Sequence, residues 1–93
     1  MATDNNVQSI DRALDIIEVL SDESEGLGVT EIANRIGLHK STAHRIITTM
    51  TNRGYLNKNK SGNYQIGLKL IEAVSCYINS LELQTEARPY IAK

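Results

Sequence analysis

Phenylalanine and tryptophan are missing from this 93-residue chain, and four tyrosines are all that stand in for them. The core must therefore come from Ile, Leu, Val and Ala, which suits packed helices better than an aromatic-rich barrel or sandwich. A single cysteine, Cys76, excludes an internal disulfide and a cysteine-built zinc centre. No apolar run approaches the roughly 18 residues of a membrane span, and no segment reads as a signal peptide. A reduced, cytoplasmic setting without membrane attachment is the expectation. A chain this short holds one modest domain and buries only roughly 60–65% of its unfolded surface.

Acidic residues are also absent, but only from one stretch. Residues 1–31 carry eight acids (Asp4, Asp11, Asp15, Glu18, Asp22, Glu23, Glu25, Glu31) against Arg12 alone, a balance of −7. Residues 32–71 carry Arg35, Lys40, Arg45, Arg53, Lys58, Lys60 and Lys69 with no acid, a balance of +7. Residues 72–93 carry Glu72, Glu82 and Glu86 against Arg88 and Lys93, which returns the total to −1. Forty residues without an acid, in a chain otherwise this acidic, mark a surface built to meet phosphates.

Residues 1–8 are polar and read as a frayed end. Ile10, Ala13, Leu14, Ile17 and Leu20 fall at helical spacing, with Ser9 placed to cap and Asp11 in the first turn. Ile16 and Val19 widen that stripe beyond what one core face needs. Ser21–Gly28 is an acidic, glycine-containing loop. Thr30 is placed to cap a short second helix containing Ile32, Ala33 and Ile36, which Gly37 stops. A third helix spans about Lys40 to Arg53, with Ala43, Ile46, Ile47 and Met50 at i, i+3, i+4, i+7, and ends at Gly54. Tyr55–Asn57 and Asn63–Ile66 are short strand-like runs around the polar turn Lys58–Gly62. A last helix opens near Leu68 and runs to Leu81 or beyond, and Pro89 stands near the start of a further helical pattern.

Two helices joined at Gly37–Leu38, with small Ala33 at the close approach, have the shape of a helix-turn-helix. Opposite the apolar stripe of the third helix lie Ser41, Arg45, Thr48 and Asn52, flanked by Thr42 and Thr49 on one side and Lys40 and His44 on the other. Every exposed side chain of its first two turns is a donor. Arg offers a bidentate fork to guanine, and Ser or Thr serves base edges or phosphates. In this motif the N-terminal half of the second helix faces the bases. An ordinary solvated face mixes charge signs and makes use of Glu; this one does neither. Lys58, Lys60 and Ser61 on the hairpin form a wing suited to a phosphate backbone or a minor groove, although lysine at a hairpin also serves solubility. The candidate DNA-contacting set is Thr30, Lys40, Ser41, Thr42, His44, Arg45, Thr48, Lys58, Lys60 and Ser61.

The runs Ser9-Ile-Asp-Arg12-Ala-Leu-Asp-Ile, Thr30-Glu-Ile-Ala33, Gly37-Leu-His-Lys40-Ser41-Thr42-Ala43-His44-Arg45, Arg53-Gly54-Tyr55 and Tyr64-Gln-Ile-Gly67 together resemble the isocitrate lyase regulator (IclR) family. The resemblance covers residues 7–93, and Gly37–Arg45 is its most specific element. It implies a bacterial or archaeal transcription factor with an N-terminal winged helix-turn-helix, a linker helix and a C-terminal domain for small-molecule effectors. The expected fold class is mainly α: a three-helix core plus a β-hairpin wing over residues 7–67, followed by a linker and dimerisation helix over 68–85. Residues 86–93, with Ala87-Arg88-Pro89-Tyr90, look like the opening of the effector domain. Ninety-three residues cannot hold that domain, so the DNA-binding half is expected here, with any effector acting only through the absent part. His39 departs from the family, which usually has proline there.

Other features look like chemistry without its companions. His39 and His44, five apart, stand about 140° apart around a helix and cannot share a metal as i, i+4 histidines do. Cys76, between Val74 and Ile78, is expected to be a packed residue without a base to activate it. Gly26-Leu-Gly28 lacks the rest of a phosphate loop. No enzyme activity and no cofactor are expected. The late helix is apolar most of the way round, and this domain is too small to cover it. A homodimer through Leu70, Ile71, Val74, Tyr77, Ile78 and Leu81, which Ile16 and Val19 could join, binding a pseudo-palindromic duplex site, is the expected assembly, favoured over packing of that face on the absent effector domain. Two rivals remain: a winged-helix protein-interaction module without DNA binding, and a single-strand or RNA binder. The latter stacks bases on exposed aromatics, and no Tyr falls on the exposed face of the third helix.

Overall fold

The computed structural model describes residues 5–85. Its elements run α1 (Gln8–Leu20), α2 (Val29–Ile36), α3 (Lys40–Asn52), β1 (Leu56–Lys58), β2 (Tyr64–Ile66) and α4 (Leu68–Thr85). This is the expected winged helix-turn-helix with a following helix. The polar start at residues 1–4 and the expected opening of a further domain at 86–93 lie outside the described residues. Among the described residues no helix is long and apolar enough to cross a membrane.

α1, α2 and α3 pack around Ile16, Leu20, Ile32, Ala33, Ala43, Ile47 and Met50, and the hairpin closes one side with Leu56 and Tyr64. The core face of α1 differs from the expected stripe. Ile16 is fully buried and belongs to the core, whereas Ile10 and Leu14 are 57% and 51% exposed. The helix carries two apolar strips side by side, and the packing of α2 and α3 selects Ala13, Ile16, Ile17 and Leu20. Ile16 is thus not available to a seam between copies; Val7, Ile10 and Leu14 are the residues left outside.

The helix ends explain the turn. Gly37 adopts φ 72° and Gly54 φ 88°, the left-handed conformation that costs other residues a Cβ clash. Leu38 N–H returns to the Ala33 carbonyl at 3.0 Å, and Tyr55 N–H to the Met50 carbonyl at 2.9 Å. Both are Schellman closures, each followed by an apolar residue packed back on the core. The helix starts differ from expectation. Val7 and Gly28, both extended, precede α1 and α2, and neither helix start has a side-chain cap. The carbonyls of Val7 and Gly28 already accept the first helical bonds, which puts Ser9 and Thr30 inside their first turns.

β1 and β2 pair antiparallel with Leu56 opposite Ile66 and Lys58 opposite Tyr64. The first strand lies one residue later than the sequence pattern implied. Leu27 adds an isolated bridge to the other edge of Tyr64, with bonds of 3.0 and 2.7 Å. α4 leaves the hairpin at Gly67, whose N–H donates to the Tyr55 carbonyl at 2.9 Å, while Lys69 N–H donates to the Gly54 carbonyl at 3.0 Å.

Candidate nucleic-acid interface

α3 buries Ala43, Ile47 and Met50 and so turns its other side outward. Lys40, Ser41, His44, Arg45 and Thr48 are exposed and Thr42 is half-buried. Among the described residues, none of these six has a side-chain hydrogen bond or ion pair to another side chain or to the backbone, so their donors are free to meet a ligand. The threonines near the end of the helix behave otherwise. Thr49 Oγ1 donates to the Arg45 carbonyl at 3.0 Å and Thr51 Oγ1 to the Ile47 carbonyl at 2.8 Å. These four-residue back-bonds satisfy the hydroxyls within the helix.

Arg45 stands at an edge. With Thr42, Ile46 and Thr49 it lines one wall of a groove of about 470 Å³ whose other wall is Ile10, Ala13 and Leu14 of α1. Thr30, exposed in the first turn of α2, stands at the start of the element that precedes α3.

The wing differs in detail from the sequence reading. Lys58 is the last residue of β1 and not part of the turn. Its Nζ lies 5.7 Å from the centroid of the buried Tyr64 ring, its cross-strand partner, so it is drawn down onto the hairpin by a cation–π attraction. Lys60 and Ser61 form the exposed tip. The turn itself is organised by a residue that charge and periodicity did not single out. Asn59 Oδ1 accepts the N–H groups of Ser61 at 2.9 Å and Asn63 at 3.0 Å. The sequence did hold a signal, since Asn two residues before a Ser-Gly pair is the composition of an Asx turn.

Charge is also distributed less simply than the acid-free stretch implied. Arg35 does not face the candidate interface as a free cation. Its Nε donates to Glu31 at 2.9 Å and an Nη to Glu23 at 3.3 Å. The Glu31 hydrogen bond, against the opposing effect of desolvation and with further help from Glu23, holds its pKa above the ordinary arginine value. The charge of Arg35 is thus already paired; the Glu31 partner, four residues back on the same helix, is readable in the sequence, whereas Glu23, twelve residues away, is brought in only by folding.

On α4, Ile71, Val74 and Tyr77 of the expected seam are 52–64% exposed, as is Leu68, while Leu70, Ile78 and Leu81 are half-buried. Cys76 is exposed, not packed as expected. Among the described residues no group of three His, Cys, Asp or Glu side chains gathers in a way that could hold a metal.

A family model described as the IclR helix-turn-helix domain matches residues 9–60. The chain is 31% identical over 88 residues to the HTH-type transcriptional regulator XynR of Escherichia coli, covering 94% of this chain and 35% of that protein. It is 35% identical over 83 residues to a glycerol operon regulatory protein of Streptomyces coelicolor, covering 88% of this chain and 33% of that one. The fold superposes with a TM-score of 0.71 on the crystal structure of an IclR family transcriptional regulator from Brucella abortus, at 29% identity, covering 89% of this chain and 32% of that one. The chain spans about a third of the length of the curated relatives it matches.

Proposed function

The chain belongs to the IclR helix-turn-helix family, whose members are DNA-binding transcriptional regulators and not enzymes, and from that premise we propose that it is a sequence-reading unit acting on duplex DNA in the cytoplasm. The observation that carries this is the outer face of α3, six donor or cationic side chains without an acid or an internal partner among the described residues. α3 enters the major groove, with Ser41, Thr42, His44, Arg45 and Thr48 toward base edges. Lys40 and Thr30 meet phosphates at the rim. Lys60 and Ser61 rest on the flanking backbone or in the minor groove, with Lys58 behind them.

Two copies bind one pseudo-palindromic site, held together by the open apolar faces of α4 and α1. Residues 7–67 act as the reading domain and 68–85 as the linker and dimerisation helix. Control by a small molecule belongs to a further domain, for which the relatives' threefold greater length leaves room.

Selection of bound sequences from random duplexes, followed by salt titration on the winner, tests this. Enrichment of a two-fold-related motif is expected, with binding that falls on a log–log salt plot by about 0.9 per phosphate contacted. Failure to enrich any sequence, together with salt-independent association, would leave a protein-interaction module as the use of this fold.

A further inference from the structure

A hairpin with three-residue strands is marginal on its own, yet the orientation of this one is tied at several points to the loop between α1 and α2. Leu27 and Tyr64 exchange backbone bonds in both directions. Gln65 Nε2 donates to the Ser24 carbonyl at 3.0 Å, and Asn59 Nδ2 to the Glu25 carbonyl at 3.1 Å. At Gly26 a Cβ would lie 2.6 Å from the Tyr64 carbonyl oxygen, so the loop and wing are pressed backbone to backbone. The loop is held in turn to α2 through Glu23 and Arg35.

Asn59 has a double part in this. Its carboxamide oxygen takes two turn N–H groups, and its nitrogen gives one hydrogen to the loop, so three of its four hydrogen-bonding positions are used. The next residue is Lys60, whose backbone lies inside the turn that Asn59 closes. We propose that Asn59 is a positioning residue for DNA binding: it fixes the wing tip to the Ser24–Leu27 loop, so that Lys60 meets the phosphate backbone at a set place relative to α3. Asn59 itself touches no DNA. This rests on the DNA-binding reading above. Without Asn59 the Leu27–Tyr64 and Gln65–Ser24 bonds still hold the strands, but the tip around Lys60 must be ordered at the moment of binding, at a cost that lowers affinity by about two- to tenfold.

The test uses the whole chain and a selected duplex, with Asn59→Ala, Asn59→Ser, Lys60→Ala and the double variant Asn59→Ala/Lys60→Ala. Asn59→Ala is expected to weaken binding about two- to tenfold, and to add little once Lys60 is gone, since both then remove the same contact. Asn59→Ser restores a weaker side-chain turn and recovers part of the loss. In the free protein, amide exchange at Ser61 and Asn63 quickens in Asn59→Ala while α3 keeps its protection. Unchanged affinity in Asn59→Ala, a loss fully additive with that of Lys60→Ala, or loss of α3 protection would each overturn the proposal. Failure of the unsubstituted protein to bind any duplex would instead remove the DNA reading, and is seen before any variant is compared.

Discussion

At Gly67 the chain passes beneath the end of α3 with no space for a side chain. A Cβ there would stand 2.5 Å from the Gly54 carbonyl oxygen and 2.8 Å from both the Leu56 nitrogen and the Tyr55 carbonyl carbon, all of them backbone atoms that no rotamer change can move. Gly67→Ala is therefore expected to destabilise the fold by about 1–3 kcal/mol, as overpacking does, seen as a lower urea midpoint with an unchanged slope. Arg45 belongs to the same scale with the opposite signature. It is exposed and without an internal partner among the described residues, so Arg45→Ala should leave the urea midpoint nearly unmoved. Binding to the selected duplex should weaken by about 1–3 kcal/mol, with relaxed preference at one base pair, if the fork reads guanine; a competition series over single-base variants of the site measures both.

The elements divide into those that local rules specify and those that only contacts between distant segments can. α2, its turn and α3 were legible because their signals are local. Gly37 and Gly54 supply the left-handed closures, and the spacing Ala43, Ile46, Ile47, Met50 fixes which side of α3 turns inward. The orientation of α1 was not legible, since its two apolar strips are equally periodic and only the packing of α2 and α3 chooses Ile16 over Ile10 and Leu14. The count of free cations in the acid-free stretch was too high by Arg35, because Glu31 stands just outside that stretch at i−4 and folding adds Glu23. Within the wing, the two lysines looked equivalent and are not. Lys60→Ala should weaken binding to every duplex by a similar factor and make the salt slope shallower by about one. Lys58→Ala should cost the fold about 0.5–1 kcal/mol through its lost attraction to Tyr64, read as a small drop in the urea midpoint.

At the scale of the molecule, apolar surface among the described residues stays open in two places that the domain's own core does not cover. Val7 just before α1 and Ile10 and Leu14 on it form one, and Leu68, Ile71, Val74 and Tyr77 along α4 the other, each more than half exposed. Isolated exposed apolar residues are ordinary, but rows of them are a surface awaiting a partner. Val74→Glu tests whether that partner is a second copy. Val74 is 56% exposed, so the charge should leave folding intact. Sedimentation should then show a monomer where the unsubstituted protein is a dimer, and the full operator, with half-sites about 34 Å or a multiple apart, should be bound far more weakly. A monomer before substitution, bound to one half-site, would assign the apolar rows to another occupant.

The crossing of Gly54 and Gly67 has a mechanical consequence. Two backbone hydrogen bonds and a backbone contact without side chains tie the start of α4 to the turn that ends α3, so a rotation of α4 bears directly on that turn. The eighteen residues of α4 form a lever about 27 Å long. Swinging its far end by about 5 Å rotates the joint by roughly 10° on that length, and the short arm of the lever is the helix proposed to sit in the groove. A push applied to the far end of α4 would thereby be felt at the turn that ends α3, without any residue of α3 being touched.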